Sequence, residues 1–208
     1  MAAIITRPVG AQNFETIRDQ LVLVIGTEYA AQRVLQPTLP AVQRVYTERC
    51  VPVDASHEVP MINVTTAKGD YDNYTINRAD GHYMYNIDVY TNAYTTSSTD
   101  GDKKAMLDMT RIMGIVRAIL SYPDYDSLGL ARGIIIGIPR VRRMYVANKD
   151  MAEDALFNVV GRVQLEVRMI ESTKELMGDG VPLKESGTTN WLKEDTTGFF
   201  YEIQNLDA

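Results

Sequence analysis

Few side chains in this sequence have the chemistry of a catalytic group. The two histidines are His57, in an irregular stretch near prolines, and His82, beside a predicted turn. A general base must lie within hydrogen-bond reach of the proton it removes. Cys50, the single cysteine, precedes His57 by seven positions, but no predicted element holds the two as a nucleophile and its base. We therefore expect no catalytic residue and predict that the protein is not an enzyme.

Candidate ligand-binding motifs are incomplete. Asp70 to Thr75, DYDNYT, resembles the opening of a calcium-binding loop. Tyr74 stands where an oxygen ligand belongs, and the turn glycine and closing glutamate are missing. No Cys/His pairing has the spacing of a zinc site, and GIIIGIP lacks the Gly-Lys-Ser/Thr ending of a phosphate loop. The sequence predicts neither a metal nor a cofactor.

The one basic cluster is PRVRR, from Pro139 to Arg143. Nucleic-acid binding requires concentrated Lys and Arg, whereas this chain has a net charge of −6 and a pI near 5.0. Two interpretations stay open for the cluster: a solvated strand face, or an edge that forms ion pairs with another subunit.

The bulk composition limits the class of protein. A chain of 208 residues with 45% hydrophobic residues fits one domain with extensions, or two very small domains. A lone cysteine excludes an intrachain disulfide and fits a reducing compartment. The apolar run LVLVIG is far shorter than a membrane span, and the amino terminus does not have the order of a signal peptide. A cytosolic origin is expected.

Two helices are predicted from apolar residues that recur three and four positions apart. The first covers about 13–35, with Asn13 as its N-cap. The second covers about 102–120, with Thr99 as its N-cap, and its apolar stripe is expected to pack across a sheet. Each helix ends before a proline, which lacks the backbone donor needed to continue.

The middle of the chain predicts strands. PMINVTTAK and YDNYTINRAD are two strands in this interpretation, with a turn at Gly69 and Asp70 between them and a second turn at Asp80 and Gly81. A long strand then begins at His82. Its apolar residues alternate with polar ones, which is typical of a strand with one buried and one wet face.

Two further strands are predicted at 133–146 and 155–171, joined by a polar loop and paired antiparallel. In the first of them, Gly133 and Gly137 indicate a bulge or a close approach of another backbone. In the second, Val163, Leu165 and Val167 alternate with charged or polar residues, which again predicts one buried face.

These elements predict an α+β, sandwich-like fold. A mixed, mostly antiparallel sheet is packed by the N-terminal helix and the central helix. The domain covers 1–171 and includes a strand-rich insertion at about 45–81. The remaining 172–208 segment has too few apolar residues for a core of its own and is predicted to be an extended C-terminal arm.

The order of elements resembles the tail-terminator (tail-completion) proteins of long-tailed bacteriophages. The resemblance is carried by YNIDVYTNAYTTSSTDGDKKAMLDMTRIMGIVRAILSYPDYDSLGL, GIIIGIPRVRRMYV and NVVGRVQLEVRMIES, about the central half of the chain. In that family a single domain forms a hexameric ring that caps the tail tube, stops its polymerisation and joins the head-side connector. The resemblance implies a structural virion protein, assembled in the bacterial host cytoplasm.

The resemblance also implies the partners. They are further copies of the chain, the tail tube protein and the connector or neck proteins, while DNA passes the lumen without specific binding and no membrane is involved. The candidate inter-subunit interface consists of charged strand residues and the aromatic residues of the arm: Arg140, Arg142, Arg143, Arg162, Glu166, Arg168, Trp191, Phe199, Phe200 and Tyr201.

Two other functions remain open. Another ring protein of the head–tail neck, such as a head-completion protein, would have the same composition. A small-molecule-binding α+β domain would place a pocket beneath the tyrosine-rich strand, whose tyrosines are Tyr83, Tyr85, Tyr90 and Tyr94.

Overall fold

The fold was analysed in a computed structural model, which describes residues 10–49, 59–75, 78–96, 100–131, 133–151, 156–172, 191–194 and 200–203. The chain divides into two units, Met1–Thr173 and Lys174–Ala208. The first unit contains two α-helices, one short 3₁₀ helix and five strands among its described residues.

Helix α1 covers Asn13–Leu35 and helix α2 covers Gly101–Leu120, close to the predicted ranges. The N-cap of α1 is Gln12, whose backbone N–H donates to the Glu15 carboxylate at 2.8 Å, so the predicted cap, Asn13, is instead the first helical residue. Asp100 caps α2. The predicted cap Thr99 lies outside the described residues.

Five strands form one sheet: β1 Val45–Thr47, β2 Met61–Thr75, β3 Arg78–Tyr94, β4 Arg140–Met151 and β5 Leu156–Ser172. Their spatial order is β1-β2-β3-β5-β4. β1 runs parallel to β2, and every other neighbouring pair is antiparallel. The predicted α+β fold with a mixed, mostly antiparallel sheet is therefore confirmed. The 45–81 segment supplies β1, β2 and the start of β3 to this same sheet.

The predicted turns at Gly69–Asp70 and Asp80–Gly81 are wrong, because both dipeptides lie inside paired strands. The two glycines flank the ring of Tyr83. A Cβ atom at Gly69 would lie 2.5 Å from a ring carbon of Tyr83, and one at Gly81 would lie 2.8 Å from another. The glycines therefore make room for an aromatic side chain on the sheet, a role that the dipeptide pattern does not reveal.

Both helices pack on one face of the sheet, where the core lies. The buried face of β3 and β5 matches the predicted alternation, which is confirmed; it consists of Tyr83, Tyr85, Ile87, Val89, Ala93, Val163, Leu165, Val167 and Met169. In the predicted stripe of α2, Met106 is partly buried against the core, and the other members are buried: Met109, Ile112, Met113, Val116, Ile119 and Leu120.

Contact between α2 and the sheet is closest at Gly161 of β5. A Cβ atom there would lie 2.2 Å from the sulfur atoms of both Met109 and Met113. On β3, the Thr91 hydroxyl donates to the backbone carbonyl of Ala105 at 2.8 Å. These contacts fix the distance between α2 and the buried face of the sheet.

The strand predicted at 133–146 is displaced along the chain, because β4 covers Arg140–Met151. Gly133 and Gly137 have φ angles of +94° and +75°, a region that favours glycine and bends the chain. Before the bend, the Ile136 N–H still donates to the Arg168 carbonyl of β5 at 2.8 Å. A Cβ atom at either glycine would meet nothing within 4 Å. Glycine is therefore needed at these positions for the positive φ angle and not for a close approach of another backbone.

The second unit contains a two-stranded antiparallel pair, β6 Trp191–Glu194 and β7 Phe200–Ile203, in which Lys193 lies opposite Tyr201. Of the predicted aromatic residues, Trp191, Phe200 and Tyr201 belong to these strands. Phe199 lies outside the described residues.

Candidate assembly surface

The sheet face opposite the helices carries a polar ladder that crosses β3, β5 and β4. Strand alternation directs every second side chain to this face. The register places Asp88 opposite Arg162, Asn86 opposite Gln164, and His82 opposite Arg168. Arg162 and Gln164 of β5 thus lie directly opposite complementary residues of β3.

Asp88 and Arg162 form the most enclosed ion pair of the ladder. The Arg162 Nε and Nη2 atoms donate to the two Asp88 carboxylate oxygens at 2.6 and 2.8 Å, a bidentate geometry that orients both groups. Asp88 is only 4% exposed. The hydrogen bond to Asp88 raises the pKa of Arg162 above its ordinary value, with a further contribution from Tyr145 of β4. This pair therefore fixes three strands in register.

Glu166 is the centre of a second cluster. The Arg142 Nε–H of β4 donates to one carboxylate oxygen of Glu166, and the His82 Nδ1 atom of β3 lies 3.5 Å from the other. The hydrogen bond from Arg142 lowers the pKa of Glu166, more than burial raises it. Glu166 is therefore held as a carboxylate between two potential cations.

A third pair lies near the end of β5, where Arg168 Nη2 is 3.1 Å from a carboxylate oxygen of Asp80. Asp80 is buried. The predicted interface thus included Arg162, Glu166 and Arg168 of β5 but not their β3 partners, Asp88, His82 and Asp80. The signal was present in the outward positions of β3, but using it requires the β3–β5 register.

The six predicted interface residues of β4 and β5 thus fall into two groups. Arg142, Arg162, Glu166 and Arg168 are already paired within the chain, so their first effect is to hold β3, β4 and β5 together. Arg140 and Arg143 are exposed on β4. They offer charges to a partner without breaking the ladder.

A cleft of about 280 Å³ lies where the chain bends at Gly137 to enter β4. Its walls combine apolar residues of the bend with the charged end of the ladder: His82, Ile136, Gly137, Ile138, Arg140, Arg142, Glu166 and Arg168. Ile138 stands at the rim and is 67% exposed. A second hollow of about 410 Å³ shares His82 and Glu166 and extends to Lys68 and Asp70 of β2.

The sheet is open along two edges in the part of the chain described here. No strand lies beyond β4, which is the last in the order. On the other side, β1 pairs with β2 only at Ile62–Val64, and the Glu48 carboxylate accepts the Thr66 N–H at 2.7 Å. From there to Thr75, β2 has β3 as its one strand neighbour. Open edges present unpaired backbone groups that can pair with another chain.

Edge strand β4 has an exposed apolar segment. Met144, Tyr145 and Val146 are each more than a third exposed. Shifts in the pairing register before and after this segment, near Arg142 and Ala147, interrupt the ladder with β5. Bulges and charges limit indiscriminate pairing of an edge, so the accessible part of β4 is short and defined.

The four tyrosines considered for a ligand pocket do not line a common cavity. Tyr83 and Tyr85 are buried on the helix side, where the Tyr85 hydroxyl donates to the Phe14 carbonyl at 2.8 Å. Tyr90 and Tyr94 occupy the other side of β3, because they differ from Tyr85 by an odd number of positions. Of the four, Tyr83 lines the hollow of about 410 Å³, and the tyrosines do not form one pocket together.

A separate groove of about 710 Å³ lies between the two helices and includes Glu28, Arg111, Gly114, Ala118 and Tyr125 among its lining residues. At its end, the Tyr125 hydroxyl donates to the Glu28 carboxylate at 2.5 Å. Among the described residues, no three His, Cys, Asp or Glu side chains come together as a metal site would require.

Neither described helix has the length and apolar character needed to cross a membrane. The chain matches no protein-family model and no curated protein sequence.

Proposed function

We propose that this protein is a structural subunit that joins further copies of itself in a closed ring, and that the ring is the tail terminator of a long-tailed bacteriophage. The observation that carries the proposal is the sheet with two open edges, β4 on one side and the distal half of β2 on the other. An edge can be satisfied by a strand of another chain. Different edges on opposite sides favour a head-to-tail contact.

The strand directions support this contact. β2 and β5 run one way, and β3 and β4 run the other, because successive pairs in the order are antiparallel. Two copies in the same orientation therefore bring β4 of one beside β2 of the next as an antiparallel pair. Such a heterologous contact uses different surfaces on each copy and generates a ring when the rotation closes.

Charge also favours the pairing of unlike edges. The start of β4 exposes Arg140 and Arg143, and the open part of β2 exposes Asp70 and Asp72. Opposite charges steer association and select the register, while two β4 edges would repel each other. The β4 edge is thus suited to pair with the β2 edge of another copy and poorly suited to pair with a second β4 edge.

The two sheet faces suggest how such a ring functions. With the helices outside, the polar ladder lines the lumen, where cations such as Arg162 and Arg168 are paired with carboxylates. A lumen of paired charges in an acidic protein gives phosphates little attraction, which suits DNA that passes without specific binding. The partners of the ring would be the tail tube protein and the head-side connector, in the virion.

The first experiment tests ring formation. Size-exclusion chromatography with light scattering, followed by negative-stain electron microscopy, is expected to show rings of the purified protein, alone or after addition of tube protein. A Met144→Lys/Val146→Lys variant should remain folded and monomeric, since it places charges on the apolar segment of β4. Leu23→Lys, at an exposed leucine of α1, is the matched control and should still form rings.

A second experiment tests the position of the ring in the particle. Phage particles assembled without this protein should have overlong or ragged tails. Tails of normal length that fail to join heads would instead assign the protein to the neck, and a strict monomer that binds a small molecule tightly would contradict both assignments.

A further inference from the structure

We propose that the cleft at the Gly137 bend is a socket for the acidic segment Asp70–Asp72 of a second copy of the chain. The proposal rests on the ring described above and identifies the side chains that fix its register. It concerns two surfaces of the same molecule, the beginning of β4 and the distal half of β2. In a ring, each copy provides one of each.

The socket is chemically suited to carboxylates. The guanidinium groups of Arg140, Arg142 and Arg168 line it together with the imidazole of His82, and the carboxylate of Glu166 is the one acidic group among its lining residues. A guanidinium has five N–H donors, and the bond to Glu166 uses the Nε–H of Arg142. Arg140 is exposed at the mouth. Cationic donors therefore converge on a cleft within a chain of net charge −6.

The acidic segment of β2 has matching features. Asp70 and Asp72 are exposed on either side of Tyr71, which is itself 49% exposed. Among the described residues, Asp70 pairs with Lys68, whose amine lies 2.6 Å from its carboxylate in a pair that is open to solvent. Exposed pairs of this type contribute little and exchange readily. Strand alternation places these two carboxylates on the face of the polar ladder, whereas Tyr71 lies on the helix side, edge-on to Tyr83. The segment thus presents two carboxylates on the face that carries the cleft.

The socket also has an apolar part. The Gly137 bend carries Ile138 at the rim, 67% exposed, directly beside the cationic groups of the cleft. A surface that pairs apolar contact with guanidinium donors fits a peptide strand that presents two carboxylates on one face. A nucleic-acid backbone would leave Ile138 uncovered and would meet the carboxylate of Glu166, so the protein partner is the better match.

Strand geometry brings the two surfaces together. In the antiparallel pairing of β4 with β2 of the next copy, the beginning of β4 lies beside the later residues of β2. Arg140 and its neighbours then meet the stretch that contains Asp70 and Asp72, whereas the earlier part of β2 is already covered by β1 and Glu48. The neutralised socket would also leave the lumen without a free cationic site.

A charge-swap experiment tests the contact. Arg140→Glu and Asp72→Arg are each expected to weaken ring assembly roughly ten-fold or more, measured by sedimentation at several protein concentrations. The double variant Arg140→Glu/Asp72→Arg should recover most of that loss, because the attraction is restored with reversed signs. Lys103→Glu, at an exposed lysine of α2, and Asp126→Arg, after α2, are the controls; each should assemble to within about three-fold of the wild type, and circular dichroism verifies folding.

The outcomes separate the two proposals. If the wild type forms rings and neither single substitution weakens them more than its control does, the socket is wrong and the ring stands. If both singles weaken assembly and the double variant shows no recovery, Arg140 and Asp72 do not face each other. If the wild type forms no ring under any of the conditions of the assembly experiment, the proposed function fails and the socket fails with it.

Discussion

At the scale of single residues, Glu171 connects the end of β5 to the start of α1. Its carboxylate accepts the backbone N–H groups of Asn13 at 3.1 Å and Phe14 at 2.9 Å. These donors belong to the first turn of α1, whose N–H groups have no partner inside the helix. Glu171 is only 7% exposed, and burial raises its pKa although the two backbone hydrogen bonds lower it.

The raised pKa of Glu171 predicts a pH dependence of stability. The folded state holds the proton more tightly than the unfolded state, so stability is lost as pH rises from the ordinary value of 4.5 through the raised value. The Glu171→Gln variant cannot titrate there. Urea unfolding over a pH series should show the wild type losing free energy of unfolding relative to the variant across this window; parallel curves would contradict the assigned shift.

A second residue-scale prediction concerns the Arg162–Asp88 pair. Arg162→Met leaves the carboxylate of Asp88 buried without its bidentate partner, which should destabilise the fold by about 3 kcal/mol. The double variant Arg162→Met/Asp88→Leu removes the buried charge as well and should recover at least about half of that loss. Chemical denaturation of the wild type, the two single variants and the double variant measures the coupling. A double variant as unstable as the sum of its singles would show that the residues act independently.

The sequence predicted the outward side of β5 from its alternation, yet it did not predict the partners of Arg162 and Arg168. Asp88 is 74 positions from Arg162 along the chain, and which outward residue meets which depends on a register set by the whole sheet. The predicted interface assigned Arg162 and Arg168 to contacts with another subunit. The sequence of one strand reveals which residues are charged, but it does not reveal which residues they pair with.

At the scale of elements, Gly161 determines how closely α2 packs on β5. Gly161→Ala would place a methyl group against the sulfur atoms of Met109 and Met113, so we expect a loss of about 1–2 kcal/mol as the two side chains shift. Gly114→Ala is the matched control on the exposed side of α2, where an added Cβ atom meets nothing within 4 Å. It should stabilise the protein by about 0.5–1 kcal/mol through helix propensity. Melting curves that move in the same direction for both variants would contradict this account.

The elements themselves were predicted unequally. The helices were predicted to within about two residues because their apolar period is a local property. The β2–β3 pair was not, since Gly69 and Gly81 accommodate Tyr83 inside strands that stay paired as far as Thr75 and Arg78. For β4, the predicted range was displaced because the apolar run before Gly137 is bent by two glycines with positive φ.

At the scale of the whole molecule, the strand order β1-β2-β3-β5-β4 leaves β4 at an edge although β5 follows it in sequence. Periodicity predicted that β4 and β5 pair. It does not indicate that β5 inserts between β3 and β4, because that placement depends on contacts between residues far apart in the chain. The open edges, and with them the proposed assembly surface, emerge only from the complete sheet.

The division of the chain predicts that residues 1–173 fold without the second unit. Every described core residue of the first unit lies between Ile17 and Met169. The fragment also keeps the hydrogen bonds from the backbone of Asn13 and Phe14 to Glu171. The fragment should melt within about 4 °C of the full chain, as measured by circular dichroism. Because the proposed contact lies in the sheet edges, the fragment should also still form rings. A folded fragment that stays monomeric, while the full chain assembles, would show that the 174–208 segment joins the copies and that β4 does not.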